Sequence, residues 1–300
     1  MSTYGLFTGK GNGKMYIKNM ISNKRSYAAR TVALVLFMFC IAFGMAHFNP
    51  VMADAKTAVK TTAQKKKKTS AKKGHWKTKH LYYFYIQNGK RVRGFKGIAG
   101  KYYYFSSQGI QLTGWRKING KYRYFRIKNG KSGYMVKNKT VNGIHIDKKG
   151  VAAVNSETER KLRILTQFQS LADTLVRPGM AKHDKLVTVF KYARDKNYRS
   201  IGSPSPTGHW DEMLAEAFLN ADWADCTMAA NGFAYLANAV GYTNVSVRLY
   251  GHGHCEIDRL IYDPGFAKTV GDDEYTRYFA KTYAELEAWY TSDDTPTRFI

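Results

Sequence analysis

The residues able to do chemistry gather in the last third of the chain. Cys226 stands at the predicted start of a helix over 226–240, with Ala229, Ala230, Phe233, Leu236, Ala237 and Val240 facing inward and Gly241 as its stop. Amide groups and the dipole at a helix start favour a thiolate, which lowers the pKa of a thiol that otherwise sits near about 8.5. That lowering suits a cysteine nucleophile. Strands are predicted at 245–250, 252–257 and 260–262. If Asp258 and Arg259 form a two-residue turn, Ile257 opposes Leu260, Glu256 opposes Ile261, Cys255 opposes Tyr262 and His254 opposes Asp263. Opposed side chains on one sheet face lie about 5 Å apart, near enough for a carboxylate to orient an imidazole. The expected triad is therefore Cys226, His254 and Asp263. His252 shares the face of His254 and is the alternative base, and Asp258 is the poorer partner, roughly 13 Å along the strand.

Each of these residues also has a plainer reading. A cysteine at a helix start can be packed, and a strand histidine can be hydrogen-bonded and inert. Cys40 falls in the apolar N-terminal stretch, leaving Cys226 and Cys255, which suggests one disulfide in an exported protein. Successive strand residues face opposite ways, so a Cys226–Cys255 bond and the catalytic arrangement exclude one another. The backbone amide of Cys226 would give one oxyanion donor, and Tyr198, Trp210 and Trp223 are candidates for a second. No cofactor is implied, and no metal, because no three-ligand spacing is visible.

Helices must bring the cysteine to the strands. Spacing predicts them over 157–176, 182–195 and 212–219, so 155–300 reads as an α+β domain of helices followed by antiparallel strands. Ahead of it, residues 80–151 repeat with a period near 20. Phe84, Phe105 and Phe125 each follow a tyrosine, Gly89, Gly109, Gly130 and Gly150 recur in step, and so do Gly94-Phe95, Gly114-Trp115 and Gly133-Tyr134. Each unit reads as a hairpin that cannot bury its aromatic face alone, so neighbours must stack.

Charge divides the chain. Residues 1–150 hold 32 Lys and Arg against two acids, a balance of +30, whereas 151–300 hold 16 against 20, a balance of −4; together they make the net +26. A nucleic-acid reader expects its charge on a folded recognition domain, so no nucleic-acid partner is expected. A polyanionic wall or membrane surface fits better. Residues 1–55 read as a signal peptide or signal anchor, with a basic start, an apolar stretch at 31–46 and small residues Ala53 and Ala55 for cleavage. Residues 56–79, rich in Lys, Thr and Ala, read as a disordered linker. The expected location is outside the cytoplasm, secreted and wall-associated, with membrane contact only if the signal is uncleaved.

Two resemblances follow from these residues. Gly100 to Phe105, then Gly109 and Gly114-Trp115, recurring from Gly120 with Tyr122 to Phe125, resemble the cell-wall-binding repeats of choline- and glucan-binding type. That resemblance implies an anchoring module of stacked hairpins for wall polymers, with Tyr104, Phe105, Trp115, Tyr124 and Phe125 as ligand contacts; hairpin packing explains any one of these rings equally well. Cys226, His254 and Asp263-Pro264, with the lead-in helix ending at Tyr198, resemble the transglutaminase-like superfamily, whose core is papain-like. Asp225 stands where that family often has Gly, and Glu256 where it often has an aromatic. This second resemblance implies acyl transfer from a protein or peptide amide. Hydrolysis of wall peptides by the same residues, or adhesion by a degenerate catalytic fold, are the alternatives.

Overall fold

A computed structural model describes residues 74–200, 208–250, 252–272, 276–286 and 297–300, leaving out the side chain of Tyr250. The expected signal and most of the Lys-rich linker lie outside these residues. Among the described residues, no helix is long and apolar enough to cross a membrane.

The N-terminal part is a run of small antiparallel sheets. Strands β1 (His75–Lys79), β2 (Tyr82–Gln87) and β3 (Lys90–Arg91) form the first sheet, β4 (Gly94–Ile98), β5 (Lys101–Phe105) and β6 (Gln111–Leu112) the second, and β7 (Gly114–Ile118) with β8 (Lys121–Phe125) the third. Trp76 opposes Tyr85, Phe95 opposes Tyr104 and Trp115 opposes Tyr124, so the same aromatic pair recurs in each hairpin. The turns take positive φ at both central residues, as at Asn119 (49°) and Gly120 (75°), which matches the right-handed twist of the strands. The expected linker therefore ends too late. His75–Lys79 is a strand because Trp76 packs against Tyr85 and Tyr103, and its spacing from Phe95 and Trp115 continues the repeat. A last hairpin, β9 (Lys139–Val141) and β10 (Ile144–Ile146), closes the array.

Helix α1 (Ser156–Leu175) starts in a capping box in which the Asn155 side chain accepts from the Glu157 and Thr158 amides. It is followed by α2 (Lys182–Arg194), β11 (Asn197–Tyr198), α3 (Trp210–Asn220), β12 (Trp223–Ala224) and α4 (Cys226–Ala239). β11 and β12 pair in parallel. Helix α4 is the central element, with 12 of its 14 residues buried, because an Ala-rich helix with Phe233, Tyr235 and Leu236 can be packed on every side. Strands β13 (Val245–Tyr250), β14 (His252–Ile257) and β15 (Leu260–Tyr262), the short helix α5 (Pro264–Thr269) and β16 (Thr297–Phe299) complete the chain, giving an antiparallel sheet of order β15-β14-β13-β16.

One apolar core runs across the expected domain boundary. Trp115, Tyr122, Val136, Ile144 and Ile146 of the array belong to the same buried cluster as Phe168 of α1 and Phe233 of α4. Trp115 is 2% exposed, and its indole donates to Asn142 Oδ1 at 2.9 Å, while Asn142 donates to Asn238 Oδ1 of α4 at 3.2 Å. Arg116 holds Asp173 of α1 with both Nη atoms, at 2.5 and 3.0 Å. Replacing Trp115 by Ala removes a fully buried indole and is expected to destabilise the protein by about 3–5 kcal/mol. Calorimetry should show the last hairpins and the helical body melting in a single transition, moved down together.

Candidate functional site

Cys226 opens α4. Its predecessor Asp225 caps the helix, with Oδ1 accepting from the Met228 amide at 2.8 Å and from the Thr227 hydroxyl at 2.7 Å. The cap is set by residue type, because a short carboxylate before a helix supplies the acceptor that its first amides lack. Cys226 is partly exposed and Cys255 fully buried, and both are free thiols. The disulfide is therefore not formed, and burial pushes the Cys255 thiol well up.

The strands arrive as expected up to Tyr262. Asp258 and Arg259 take φ of 53° and 68°, and Ile257 pairs with Leu260, Glu256 with Ile261 and Cys255 with Tyr262. There the ladder ends. Pro264 begins α5, and Asp263 is its N-cap, with Oδ1 accepting from the Phe266 amide at 2.8 Å. The other carboxylate oxygen, Oδ2, lies 2.5 Å from His252 Nε2. The expected His254–Asp263 partnership is thus corrected: Asp263 leaves the strand direction to cap a helix, and its carboxylate meets the histidine two residues earlier on the same face. The Asp-Pro pair is an N-cap signature that marks this departure in the sequence.

His254 has other company. Its Nε2 is 3.3 Å from the Tyr283 hydroxyl and 3.8 Å from Glu256 Oε1, and Arg248 opposes it on β13. Tyr283 and Arg248 both contact the Glu256 carboxylate as well. Burial pushes the Glu256 carboxyl up, but hydrogen bonds from His254 and Tyr283 and the charge of Arg248 outweigh it and hold the group down at about 2. The stability from this cluster is therefore present above about 4.5 and is lost as pH falls through about 2.

His252 is the imidazole that belongs to Cys226. Burial works against its charge, yet the Asp263 carboxylate, by charge and hydrogen bond, and Cys226, by hydrogen bond and charge, push it up to about 10. Since Nε2 is taken by Asp263, Nδ1 is the nitrogen left for the thiol. The ring meets Phe266 edge-on at 4.7 Å, which limits its rotation. A raised histidine pKa stabilises the fold below about 6.5 and ceases to do so as pH rises through about 10.

Two glycines permit this convergence. A Cβ on Gly253, between the histidines, would stand 2.7 Å from Thr227 Cα, and one on Gly265 would stand 2.7 Å from Cys226 Cα. β14 and α5 thus press directly on the first turn of α4. Of the three candidate oxyanion donors, Trp210 is in the core and Trp223 lies beneath the Arg199 guanidinium at 5.3 Å. Tyr198 is exposed. Its hydroxyl is pushed up by partial burial and by the charges of Cys226, Asp225 and Asp263.

The expected ligand rings of the array are mostly core. Phe105, Trp115 and Phe125 are buried at 1%, 2% and 0% exposure, so packing uses their faces and no ligand reaches them. Tyr104 and Tyr124 are half-buried, and burial pushes the Tyr124 hydroxyl up to about 12.

Residues 92–139 match the choline-binding repeat family. Among solved structures, the choline binding domain of Spr1274 in Streptococcus pneumoniae is 22% identical, with 26% of this chain and 93% of that one aligned and a TM-score of 0.23. Choline binding protein F from Streptococcus pneumoniae is 27% identical over 26% of each chain, at 0.24. The multimodular pneumococcal cell wall endolysin from phage Cp-1, complexed with choline, is 27% identical over 28% of this chain and 25% of that one, at 0.24. The alignments thus span about a quarter of the two larger proteins, and scores this low carry no weight for the fold. No curated protein matches the chain.

Gly265→Ala is expected to push α5 off Cys226. Forcing a side chain into such a close contact costs about 1–3 kcal/mol, and a loss of that size in unfolding free energy, measured by denaturant titration, checks the close approach.

Proposed function

We propose that the chain is a wall-associated, transglutaminase-like cysteine acyltransferase with Cys226 as nucleophile, His252 as general acid and base, and Asp263 as the group that orients the imidazole. The observation that carries the reading is the wholly buried Asp263 carboxylate held 2.5 Å from His252, whose ring hydrogen-bonds Cys226 at the start of α4. A protonated imidazole beside a cysteine supplies the acid that a departing nitrogen needs, and the sulfur is the attacking atom.

The thiolate adds to the carbonyl carbon of a carboxamide, and negative charge builds on the carbonyl oxygen. The amide at the first position of α4 has no partner within the helix and faces that charge, with the Tyr198 hydroxyl as the second donor. His252 then gives its proton to the departing nitrogen, the C–N bond breaks, and a thioester remains on Cys226. The imidazole, held by Asp263, takes a proton from an incoming amine or water, whose attack on the thioester restores the thiolate. Amine and water use the same residues, so transfer and hydrolysis differ only in which nucleophile reaches the thioester.

Wall association rests on the match of 92–139 to choline-binding repeats, with the array serving as the anchor for wall polymers. His254 is assigned a structural role, holding Glu256 and Tyr283.

The test compares variants in amine incorporation and in hydrolysis of a glutamine-containing peptide. Cys226→Ala and His252→Ala are expected to abolish both, and Asp263→Asn to lower both by about 10³–10⁴-fold. His254→Ala should retain most of the activity, and the wild-type rate should fall as pH rises through about 10, where His252 loses its proton. Equal loss from His252→Ala and His254→Ala, or an unreactive Cys226 in folded protein, would overturn the assignment.

A further inference from the structure

A quaternary ammonium is held by rings that stand around it, each within about 6 Å of the charge. The rings of this array stand against one another instead. Phe95 stacks on Tyr102 at 5.2 Å and 9°, and Trp76 meets Tyr85 at 5.4 Å and Tyr103 at 5.1 Å. The array's own cations cover several of the rings. Arg123 lies 5.2 Å over Phe95, Lys137 4.8 Å over Tyr102, Lys101 4.3 Å over Tyr134 and Arg91 3.9 Å over Phe84. On Phe84, Phe95, Tyr102 and Tyr134 the ring faces that a quaternary ammonium would need are thus filled by the chain itself.

Filling them turns the surface around. Lys101, Lys137 and Arg91 are exposed, each steadied by the ring beneath it. Residues 74–150 hold 18 Lys and Arg and one acid, Asp147. That carboxylate is occupied internally, since its Oδ1 accepts from the Lys149 and Val151 amides at 2.8 Å each. So many like charges on stacked hairpins repel one another, and a long polyanion relieves the repulsion while releasing its own counterions. With the faces of Phe84, Phe95, Tyr102 and Tyr134 already covered, these rings offer no platform for unpaired bases, which is how single-stranded nucleic acid is gripped. We infer that the repeat array binds an extended phosphodiester polymer without bases through its ring-supported cations, and does not bind choline. This deepens the anchoring half of the proposed function and rests on the array being a binding module; it is independent of the enzyme.

The test titrates the full chain with poly(glycerol phosphate), with choline chloride and with a single-stranded oligonucleotide of equal charge. The expected result is tightest binding of poly(glycerol phosphate), weakening steeply as salt rises, and no saturable response to choline. The double variant Lys101→Gln, Lys137→Gln should lose roughly tenfold or more in affinity and lower the salt slope by about two. Lys268→Gln, which removes one exposed charge outside the array, should change nothing. If the double variant is less stable by thermal melting, the wild-type salt slope and Lys137→Gln alone serve the same purpose. Saturable choline binding, or tighter binding of the oligonucleotide, overturns the inference and leaves the anchoring module standing. Binding of none of the three overturns both.

Discussion

A carboxylate with no exposure to water has to be paired, because burying an unpaired charge costs several kcal/mol. Asp263 is such a group, and its two oxygens are divided between the Phe266 amide and His252 Nε2. The local fold follows from satisfying both. Pro264 ends the strand so that the carboxylate can cap α5, Gly265 lets that helix start lie against Cys226, and Gly253 lets β14 lie against Thr227. One ion pair thereby locks strand, short helix and the tip of α4 together. The same pair keeps a proton on His252 next to a thiol, so structural and chemical demands are met by one interaction.

The array is tied to this body by a similar economy of contacts. Trp115 and Tyr122 lie in the core beside α1 and α4, and the Arg116–Asp173 pair and the Trp115–Asn142–Asn238 chain add directional bonds across the join. The last hairpins are thus both repeat and wall of the helical core. Earlier hairpins use their aromatics on each other and on their own cations, among which Lys101, Lys137 and Arg91 stand exposed.

Much of this was legible from spacing alone. The period near 20 marked the hairpins, helical stripes marked α1, α2 and α4, and alternation with an Asp-Arg turn gave the three strand pairings that the structure contains. What failed did so for local reasons. Extending the β15 ladder by one residue assigned Asp263 to His254, whereas a carboxylate before proline prefers to cap a helix. Reading Trp115 as a ligand ring overlooked that an aromatic next to a helical domain has a second surface to pack against. The first strand was hidden because Lys residues surround Trp76, although that tryptophan continues the repeat. The short α5 and the β11–β12 pair left no periodic trace, being too brief for one.

The claim on which the enzyme reading stands is that His252 carries a proton through neutral pH because Asp263 and Cys226 hold it there. Following the ring nitrogens of His252 by isotope-edited NMR across pH tests this most directly. The account predicts an imidazolium that persists past neutrality and titrates near about 10, moving downward when Cys226 is replaced by Ala. Titration near about 6.5, unchanged by that replacement, would contradict it.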